Sequence, residues 1–186
     1  MPWPDDHKQE TRDRIVESAA SALRAKGLDG VSIAEIMAAA GLTHGGFYAH
    51  FKSKDELIGA ALGRASRETI EHLSNNRVPD DRRMEAVIDT YLSAGHASHP
   101  ELGCPLAALG SELVRGSDQI REGVAERVAQ RIEWLRQLLP EGEATEENAT
   151  AIVATMLGGL LLARMVAPDK SDAVLQATRS FIDRAR

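Results

Sequence analysis

Residues 32–57 read SIAEIMAAAGLTHGGFYAHFKSKDEL. Ser32 and Glu35 have the spacing of a capping box, which starts a helix, and apolar residues then recur at helical intervals. Gly41 predicts the end of this helix, because glycine tolerates the positive φ that a tight exit requires. A second short helix, which we call the reading helix, is predicted over 43–50. Two short helices joined around a glycine are typical of a helix-turn-helix, which places a row of side chains in the major groove of DNA.

The predicted reading helix is weak as a purely structural element. Gly45 and Gly46 each cost about 1 kcal/mol relative to alanine inside a helix. Phe47 and Phe51 anchor the segment, while its polar side chains are expected at the surface. A bare backbone with exposed hydrogen-bonding groups suits a surface that approaches a duplex closely. The alternative is an ordinary helical hairpin in an all-α core.

The run over 41–57, GLTHGGFYAHFKSKDEL, resembles the signature of the TetR/AcrR family of bacterial transcriptional repressors. The match extends over residues 11–62, and beyond it the resemblance lies in length and in the all-helical pattern. It implies a three-helix DNA-binding head, a larger helical ligand-binding body and a homodimer. The residues expected to contact double-stranded operator DNA are Ser32, Thr43, His44, Gly45, Gly46, Tyr48, His50 and Lys54.

These residues are expected to play different roles at the DNA. Tyr48 and Lys54 match phosphate ligands of the family, and the Ser32 hydroxyl at a helix N-terminus also suits a phosphate. His50 also matches the DNA-contacting motif of the family, but a histidine between two buried aromatic residues also suits a structural role in the turn. The sequence leaves both interpretations of His50 open.

Net charge is the main argument against a DNA-binding function. The 186-residue chain carries a net charge of −6, and residues 1–63 contain seven Lys or Arg against nine Asp or Glu. Affinity would therefore depend on a few placed cations, for which Arg12, Arg14, Lys52 and Lys54 are the candidates beside the reading helix. The alternative function is a helical interaction or ligand-binding module that does not bind DNA.

Composition predicts an all-α fold of about nine helices. Aromatic residues make up only 4% of the chain and hydrophobic residues 43%, which favours an aliphatic, alanine-rich helical core. Residues 1–10 are expected to fray, and the sequence suggests no role for Trp3 among them. The clearest loop is predicted over 75–81. Helices outside the helix-turn-helix are predicted over about 11–26, 53–73, 81–98, 105–116, 117–140, 145–166 and 169–185.

This helix pattern divides the chain into a DNA-binding head, 1–52, and a ligand-binding and dimerisation body, 53–186. A single cysteine, the lack of an apolar signal core and an uncharged run limited to 148–163 predict a cytoplasmic protein without a membrane partner. The sequence contains no glycine-rich phosphate loop, nucleophile elbow or metalloprotease motif, so no enzyme activity and no cofactor are predicted.

The predicted helix over 145–166 is apolar around nearly its whole circumference, which predicts burial on all sides and, in a small chain, a partner. The family resemblance implies a four-helix dimer interface made by the last two helices of each subunit. The alternative is a central core helix in a monomer. The expected interface residues are Ile152, Met156, Gly158, Gly159, Leu162 and Phe181.

A small-molecule inducer is expected between the helices of the body. It would favour a conformer whose heads are wrongly spaced for DNA, which requires different affinities for the two conformers. The expected lining residues are Met84, Ile88, Tyr91, Leu92, Cys104, Leu109, Leu113, Trp134, Met156 and Leu160.

Cys104 has two interpretations. Pro105 suits the first helical position, so Cys104 is expected to cap a helix whose dipole lowers the pKa of the thiol. The Gly103–Cys104 pair, followed by Glu112, also resembles a branch of the family that senses reactive electrophiles through this cysteine. The other interpretation, which the residue type favours, is a small buried core residue.

His96, His99, Glu101 and Cys104 lie within nine positions, and such ligands hold zinc or copper in other proteins. Their spacing crosses a helix end and a proline and matches no structural zinc pattern, so no metal is predicted. His96 and His99 are instead expected at a helix C-terminus, where the dipole favours their charged forms.

Overall fold

The computed structural model describes residues 5–75 and 77–185, and all regular secondary structure in these residues is helical. This confirms the predicted all-α class. Trp3 and Asn76, the latter within the predicted loop 75–81, lie outside the described residues. The α-helices of the described part are α1 (Asp5–Lys26), α2 (Ile33–Ala39), α3 (Lys54–Ser74), α4 (Arg83–Tyr91), α5 (Ala94–Ser98), α6 (Pro105–Leu113), α7 (Asp118–Arg136), α8 (Glu146–Met165) and α9 (Pro168–Ala185).

Short 3-10 helices occur at His44–Ala49, Asp80–Arg82 and Pro100–Leu102. The first of these is the reading helix, so the segment predicted over 43–50 is helical but wound more tightly than an α-helix. Its two glycines and its short length give little propensity for regular α-helix. Packing of its aromatic side chains therefore determines its position.

The first hydrophobic cluster, which we call the head core, is enclosed by α1, α2, the reading helix and the first half of α3. Its fully buried side chains include Ile15, Leu23, Ile36, Met37, Phe47, Phe51 and Leu57. Leu109 and Leu113 of α6 and Ile120 of α7 also belong to it. Side chains from the body therefore complete the core of the head.

The second cluster, the body core, is built around α4 and α8. Met84, Val87, Ile88 and Tyr91 are buried on α4, as their helical spacing predicts. Ile152, Val153, Met156 and Leu160 of α8 belong to the same cluster, and α8 also packs against α7 and α9. By length and composition alone α8 could cross a membrane, a criterion that core helices of globular proteins also satisfy.

The structure corrects the predicted start of the first helix. Helix α1 begins at Asp5, so the part of 1–10 that the structure describes is helical rather than frayed. The sequence Pro4–Asp5–Asp6 is itself a helix-start pattern, with proline followed by acidic residues in the first turn.

The helix predicted over 81–98 is divided into α4 and α5. Ser93 interrupts it, because its hydroxyl accepts a hydrogen bond from the His96 amide at 3.2 Å and so caps a new helix. Thr90 contributes its carbonyl, which accepts a hydrogen bond from the same Ser93 hydroxyl at 2.8 Å.

Within one chain α8 is buried on only part of its circumference, and the partner that its apolar pattern predicts stays a prediction. Leu161, Leu162 and Met165 are exposed on one side of it, and Phe181 is exposed on the neighbouring α9. These four side chains, which we call the apolar face, account for more than half of the large exposed hydrophobic residues of the described chain.

The two consecutive glycines of α8 have opposite environments. A Cβ at Gly159 would clash with the side chain of Thr178 on α9, so Gly159 allows the two helices to approach closely. A Cβ at Gly158 would meet nothing within 4 Å. Among the predicted interface residues, Gly159, Ile152 and Met156 are buried within the chain, whereas Gly158, Leu162 and Phe181 are exposed.

Gly159→Ala is expected to lower the free energy of unfolding by about 1 to 3 kcal/mol, because a methyl group there overpacks against the stiff side chain of Thr178. Gly158→Ala is the matched control and should be neutral or stabilising by up to about 1 kcal/mol. Urea denaturation at one protein concentration measures both. Equal stabilities of the two variants would contradict the close contact between α8 and α9.

Candidate nucleic-acid interface

Buried aromatic side chains anchor the inner side of the reading helix. Phe47 and Phe51 are fully buried, and their rings stack with centroids 5.7 Å apart. Gly41 adopts φ +72°, as predicted, and the chain turns so that the Leu42 amide donates to the Met37 carbonyl at 2.9 Å. These contacts leave the opposite side of the helix open.

The open side of the reading helix carries the side chains that the sequence assigns to DNA. Tyr48 is 69% exposed and its ring meets Phe47 edge-on at 5.2 Å, which supports the phenol without covering it. Thr43 and His44 are exposed, and the Thr43 side chain makes no capping hydrogen bond. A Cβ at Gly45 would point into open space. The result is a flat polar surface with few protruding side chains.

Gly46 is less open than Gly45. It is partly buried, and a Cβ at this position would lie 3.6 Å from the Met37 methyl group, an ordinary contact distance. Gly46 therefore lies at the base of the reading helix, against α2.

Ser32 caps α2 as a full capping box. Its hydroxyl accepts from the Glu35 amide at 3.2 Å and donates to the Glu35 carboxylate at 2.8 Å, and the carboxylate also accepts from the Ser32 amide at 2.8 Å. The Ser32 amide and hydroxyl lower the pKa of the Glu35 carboxyl, and Lys26 adds to this shift. An ionised carboxylate thus occupies the place where a phosphate was expected.

Lys54 is engaged within the protein. Its ammonium group donates to the Leu28 carbonyl at 2.7 Å and to the Val31 carbonyl at 3.2 Å. The lysine thereby ties the start of α3 to the turn between α1 and α2. This contact is structural, and a phosphate would have to share the ammonium group with two carbonyls.

His50 ends the reading helix with one side of its ring buried. Its Nδ1 atom is buried and has no hydrogen-bond partner among the described residues. Burial lowers the pKa of His50, and the charges of Lys8 and Arg12 lower it further. A neutral, half-buried imidazole suits support of the turn better than contact with a phosphate.

The remaining cations divide into engaged and exposed groups. Arg12 lies over the Phe51 ring at 4.1 Å and pairs with Glu56 at 3.2 Å, so it holds α1 against the start of α3. Arg14 and Lys52 are exposed. Lys8, which sequence reasoning assigned to a frayed end, lies on α1 close enough to His50 to affect its pKa. The helix-start pattern at Pro4–Asp5–Asp6 was the signal that could have identified it.

Polar contacts connect the head to α6. The Glu112 carboxylate accepts a hydrogen bond from the Leu28 amide at 2.6 Å, beside Gly27, whose φ is +84°. Buried Arg24 donates to the Gly103 carbonyl at 3.0 Å and pairs with Glu68 at 3.1 Å. Gly103 is therefore bonded to α1, and Glu112 is bonded to the turn that follows α1.

A small cavity lies between α4, α6, α7 and α8 in the body. Its volume is about 10 Å³, which is room for about one water molecule. Its lining residues are Tyr91, Cys104, Leu106, Arg131, Trp134, Leu135, Val153, Met156 and Leu157.

The cavity contains only part of the expected ligand site. Tyr91, Cys104, Trp134 and Met156 line it, as expected. The structure places Met84, Ile88, Leu92 and Leu160 elsewhere in the body core. It places Leu109 and Leu113 in the head core, because the far end of α6 points toward α1 and α3. Sequence reasoning missed Arg131, although a charged residue one turn before Leu135 on the apolar stripe of α7 was a visible signal.

Cys104 occupies the N-cap position of α6, but its thiol makes no capping hydrogen bond. The side chain is only 2% exposed, which favours the interpretation as a core residue. Its amide donates to the Nε2 atom of His96 at 2.9 Å. An electrophile would reach this thiol only after the cavity had opened.

His96 uses both ring nitrogens within the protein. Its Nδ1 atom is 2.8 Å from the Tyr91 carbonyl, and Nε2 accepts from the Cys104 amide, so neither nitrogen is available for a metal. Burial lowers the pKa of His96 to about 4. The prediction that His96 is charged at a helix C-terminus is therefore wrong: Ser93 starts a new helix three residues before it, and desolvation lowers its pKa more than the hydrogen bond with the Tyr91 carbonyl raises it.

This architecture defines a class of protein: an all-α chain with a helix-turn-helix head joined through shared packing to a helical body. The model for bacterial regulatory proteins of the tetR family matches residues 15–61, and the model for a tetracyclin repressor-like C-terminal domain matches residues 81–181. The chain belongs to the TetR family of DNA-binding transcriptional regulators.

Known proteins of this kind resemble the chain over most or part of its length. An uncharacterised HTH-type transcriptional regulator of Mycobacterium tuberculosis is 27% identical over 169 residues, which cover 84% of this chain and 86% of that protein. The HTH-type transcriptional regulator TtgR of Pseudomonas putida is 37% identical over 76 residues, which cover 41% of this chain and 36% of that protein. These similarities agree with the family assignment.

Solved structures show the same fold. A TetR transcriptional regulator from Chloroflexus aurantiacus superimposes with a TM-score of 0.76 at 29% identity, covering 95% of this chain and 94% of that chain. The reduced form of NemR from E. coli gives a TM-score of 0.77 at 22% identity, covering 94% and 96% of the two chains.

Lys54→Ala is expected to lower the free energy of unfolding by about 1 to 2 kcal/mol, because two carbonyls lose a charged hydrogen-bond donor. Lys52→Ala is the matched control, since its exposed ammonium group makes no hydrogen bond to the described residues, and its effect should stay within about 0.5 kcal/mol. Chemical denaturation followed by circular dichroism compares the two. If Lys54→Ala is as stable as Lys52→Ala, the tie between α3 and the α1–α2 turn is not significant.

Proposed function

We propose that this regulator is a ligand-responsive repressor that acts as a homodimer on a palindromic operator and is released by a small-molecule inducer. One observation carries the DNA-binding part. The exposed row of Thr43, His44, Gly45 and Tyr48 stands on a short helix that buried Phe47 fixes in the head core. A row of this kind, anchored by a buried side chain and without bulky groups at its glycines, suits entry into a major groove.

Within this row the side chains have different proposed tasks. His44 and Thr43 lead the reading helix and would contact base edges, which carry sequence information. Tyr48 would contact a phosphate through its hydroxyl. Lys52 is the better candidate for an ionic phosphate contact, because its ammonium group is exposed whereas that of Lys54 is bonded to two carbonyls. Lys54, Ser32 and His50 would then position the interface rather than contact DNA.

The apolar face supports the proposed homodimer. Leu162 is 55% exposed and Phe181 is 54% exposed, on two antiparallel helices that pack against each other. Large apolar side chains grouped on one side of a protein mark interaction sites. A two-fold axis across α8 and α9 would pair this face with itself, since a symmetric dimer uses the same patch on both subunits. Exposed Gly158 would let the partner backbone approach.

The proposed division of labour follows the helices. Residues 1–52 would bind DNA, and residues 53–186 would bind the inducer and the second subunit. Two heads on one dimer would enter major grooves about one helical turn (~34 Å) apart, or somewhat more. A protein that binds chromosomal DNA would act in the bacterial cytoplasm, without a membrane partner.

Ligand release would act through α6. Cys104 and Leu106 at the start of α6 line the cavity, while Leu109 and Leu113 near its end belong to the head core. A molecule that enlarges the cavity would displace this short helix, and the head would move with it. Such a ligand favours the displaced conformer only by the difference in its affinity for the two conformers.

Gly45→Leu is expected to weaken DNA binding at least about tenfold, because a bulky side chain would stand between the reading helix and the groove. Gly123→Leu on α7 is the matched control, since a Cβ there also meets nothing within 4 Å. Fluorescence anisotropy measures both, on a duplex that the unmodified protein enriches from a random pool. If Gly45→Leu binds as tightly as Gly123→Leu, another surface contacts the DNA.

Leu162→Glu combined with Phe181→Glu is expected to give a monomer that binds the same duplex much more weakly, because buried charges disfavour the interface. Val114→Glu is the control, since Val114 is an exposed hydrophobic residue outside the apolar face. Light scattering gives the mass of each protein. A mass of one subunit for the unmodified protein would rule out the proposed dimer.

A further inference from the structure

We propose that the body cavity binds an organic carboxylate, with Arg131 and Tyr91 holding the carboxylate group and the apolar walls holding the rest of the molecule. This inference rests on the proposed ligand response and names the chemical class of the inducer. It depends on three observations: a buried cation, a buried hydroxyl without a strong hydrogen-bond partner and an apolar lining without acidic residues.

Arg131 is the buried cation. It is 7% exposed and lines the cavity from α7. Among the described residues it makes no ion pair and no hydrogen bond, and the Trp134 ring, 5.5 Å from the guanidinium, gives only a weak cation–π contact. Burial of a charge is unfavourable unless an opposite charge is near. The residue therefore leaves its donors available to an anion in the cavity.

Tyr91 supplies a second donor from α4. Its side chain is 3% exposed and lines the same cavity, and its hydroxyl has no hydrogen-bond partner of good geometry among the described residues, since the neighbouring Cys104 thiol is only a weak one. The ring is fixed by His96, which meets it edge-on at 4.6 Å. Burial raises the pKa of Tyr91 well above its usual value, and the neighbouring Cys104 thiol adds to the shift. The group is consequently a neutral hydroxyl, which can donate to a carboxylate.

The rest of the lining indicates an organic anion rather than an inorganic one. No Asp or Glu lines the cavity, so a cationic ligand would find no counter-charge there. The other walls come from five aliphatic side chains and an indole: Leu106, Leu135, Val153, Met156, Leu157 and Trp134. A guanidinium binds a carboxylate through two parallel hydrogen bonds, and the apolar walls would remove a hydrocarbon group from water.

The ligand must enlarge the cavity, which has room for about one water molecule. Leu106, Trp134 and Leu157 are the partly exposed parts of its wall and can move toward solvent. Since Leu106 belongs to α6, binding of the carboxylate would act on the helix that completes the head core.

Isothermal titration calorimetry of the full chain with 2-naphthylacetate and with its neutral isostere 2-naphthylacetamide tests this inference. The acid should bind at least about tenfold more tightly than the amide, because only the acid forms a charged hydrogen-bonded pair with Arg131. Arg131→Gln should weaken acid binding by about tenfold or more and change amide binding little, whereas Arg131→Lys should retain part of the preference. Tyr91→Phe should weaken acid binding about threefold to tenfold.

Arg136→Gln is the matched control on the outer side of α7, where the arginine pairs with exposed Glu133. Equal affinities for acid and amide, acid binding that is unchanged in Arg131→Gln, or no binding of the acid by the unmodified protein up to its solubility limit would each overturn the inference. The comparison of acid with amide needs no variant, so it stands even if Arg131→Gln fails to fold.

DNA titrations in the presence of the acid separate this inference from the proposed function. If the acid binds through Arg131 but DNA affinity is unchanged, the carboxylate site holds and the ligand response fails. If the protein binds DNA but not the acid, the DNA-binding function holds and the carboxylate site fails.

Discussion

The packing of α6 into the head is the interaction on which the rest of this structure depends. Leu109 and Leu113 of α6 are fully buried members of the head core. The hydrogen bond from the Leu28 amide to Glu112 and the hydrogen bond from Arg24 to the Gly103 carbonyl fix the register of this contact. A helix of nine residues thus joins the turn before the helix-turn-helix to the wall of the body cavity. The same short helix therefore contacts both the cavity and the core of the head.

The reading helix illustrates how tertiary packing replaces intrinsic propensity. Its glycine pair and its 3-10 winding would not hold an isolated helix. Phe47 and Phe51 hold it instead, with Arg12 stacked on Phe51 and paired with Glu56 at the start of α3. The same arrangement explains why several polar residues near the proposed DNA surface hold the fold together. Ser32 and Lys54 are both engaged in hydrogen bonds that fix the turn around the helix-turn-helix.

The parts of the fold that sequence predicts well are those with a local physical cause. The capping box at Ser32, the positive φ at Gly41 and the buried stripe of α4 all follow from spacing and residue type within a few positions. The break at Ser93 was missed, because a serine cap inside an apolar pattern competes with helix continuation and only tertiary packing decides the outcome. The features hardest to predict from sequence were those that depend on which distant residue a side chain contacts. Gly158 and Gly159 are identical residues, yet only Gly159 faces Thr178, and Lys54 turned toward carbonyls that are 23 and 26 positions away. Arg131 shows the same limit, since its lack of a counter-charge is visible only when all the helices around it are placed.

The central claim is that the reading helix of each subunit enters a major groove of one operator. Hydroxyl-radical footprinting of the unmodified protein, on a duplex that it has itself enriched from a random pool, tests this claim most directly. We expect two protected segments on one face of the duplex, one helical turn (~34 Å) or somewhat more apart, which appear together as protein is added. A single protected segment, protection spread evenly along the duplex, or no enrichment of any sequence would contradict it.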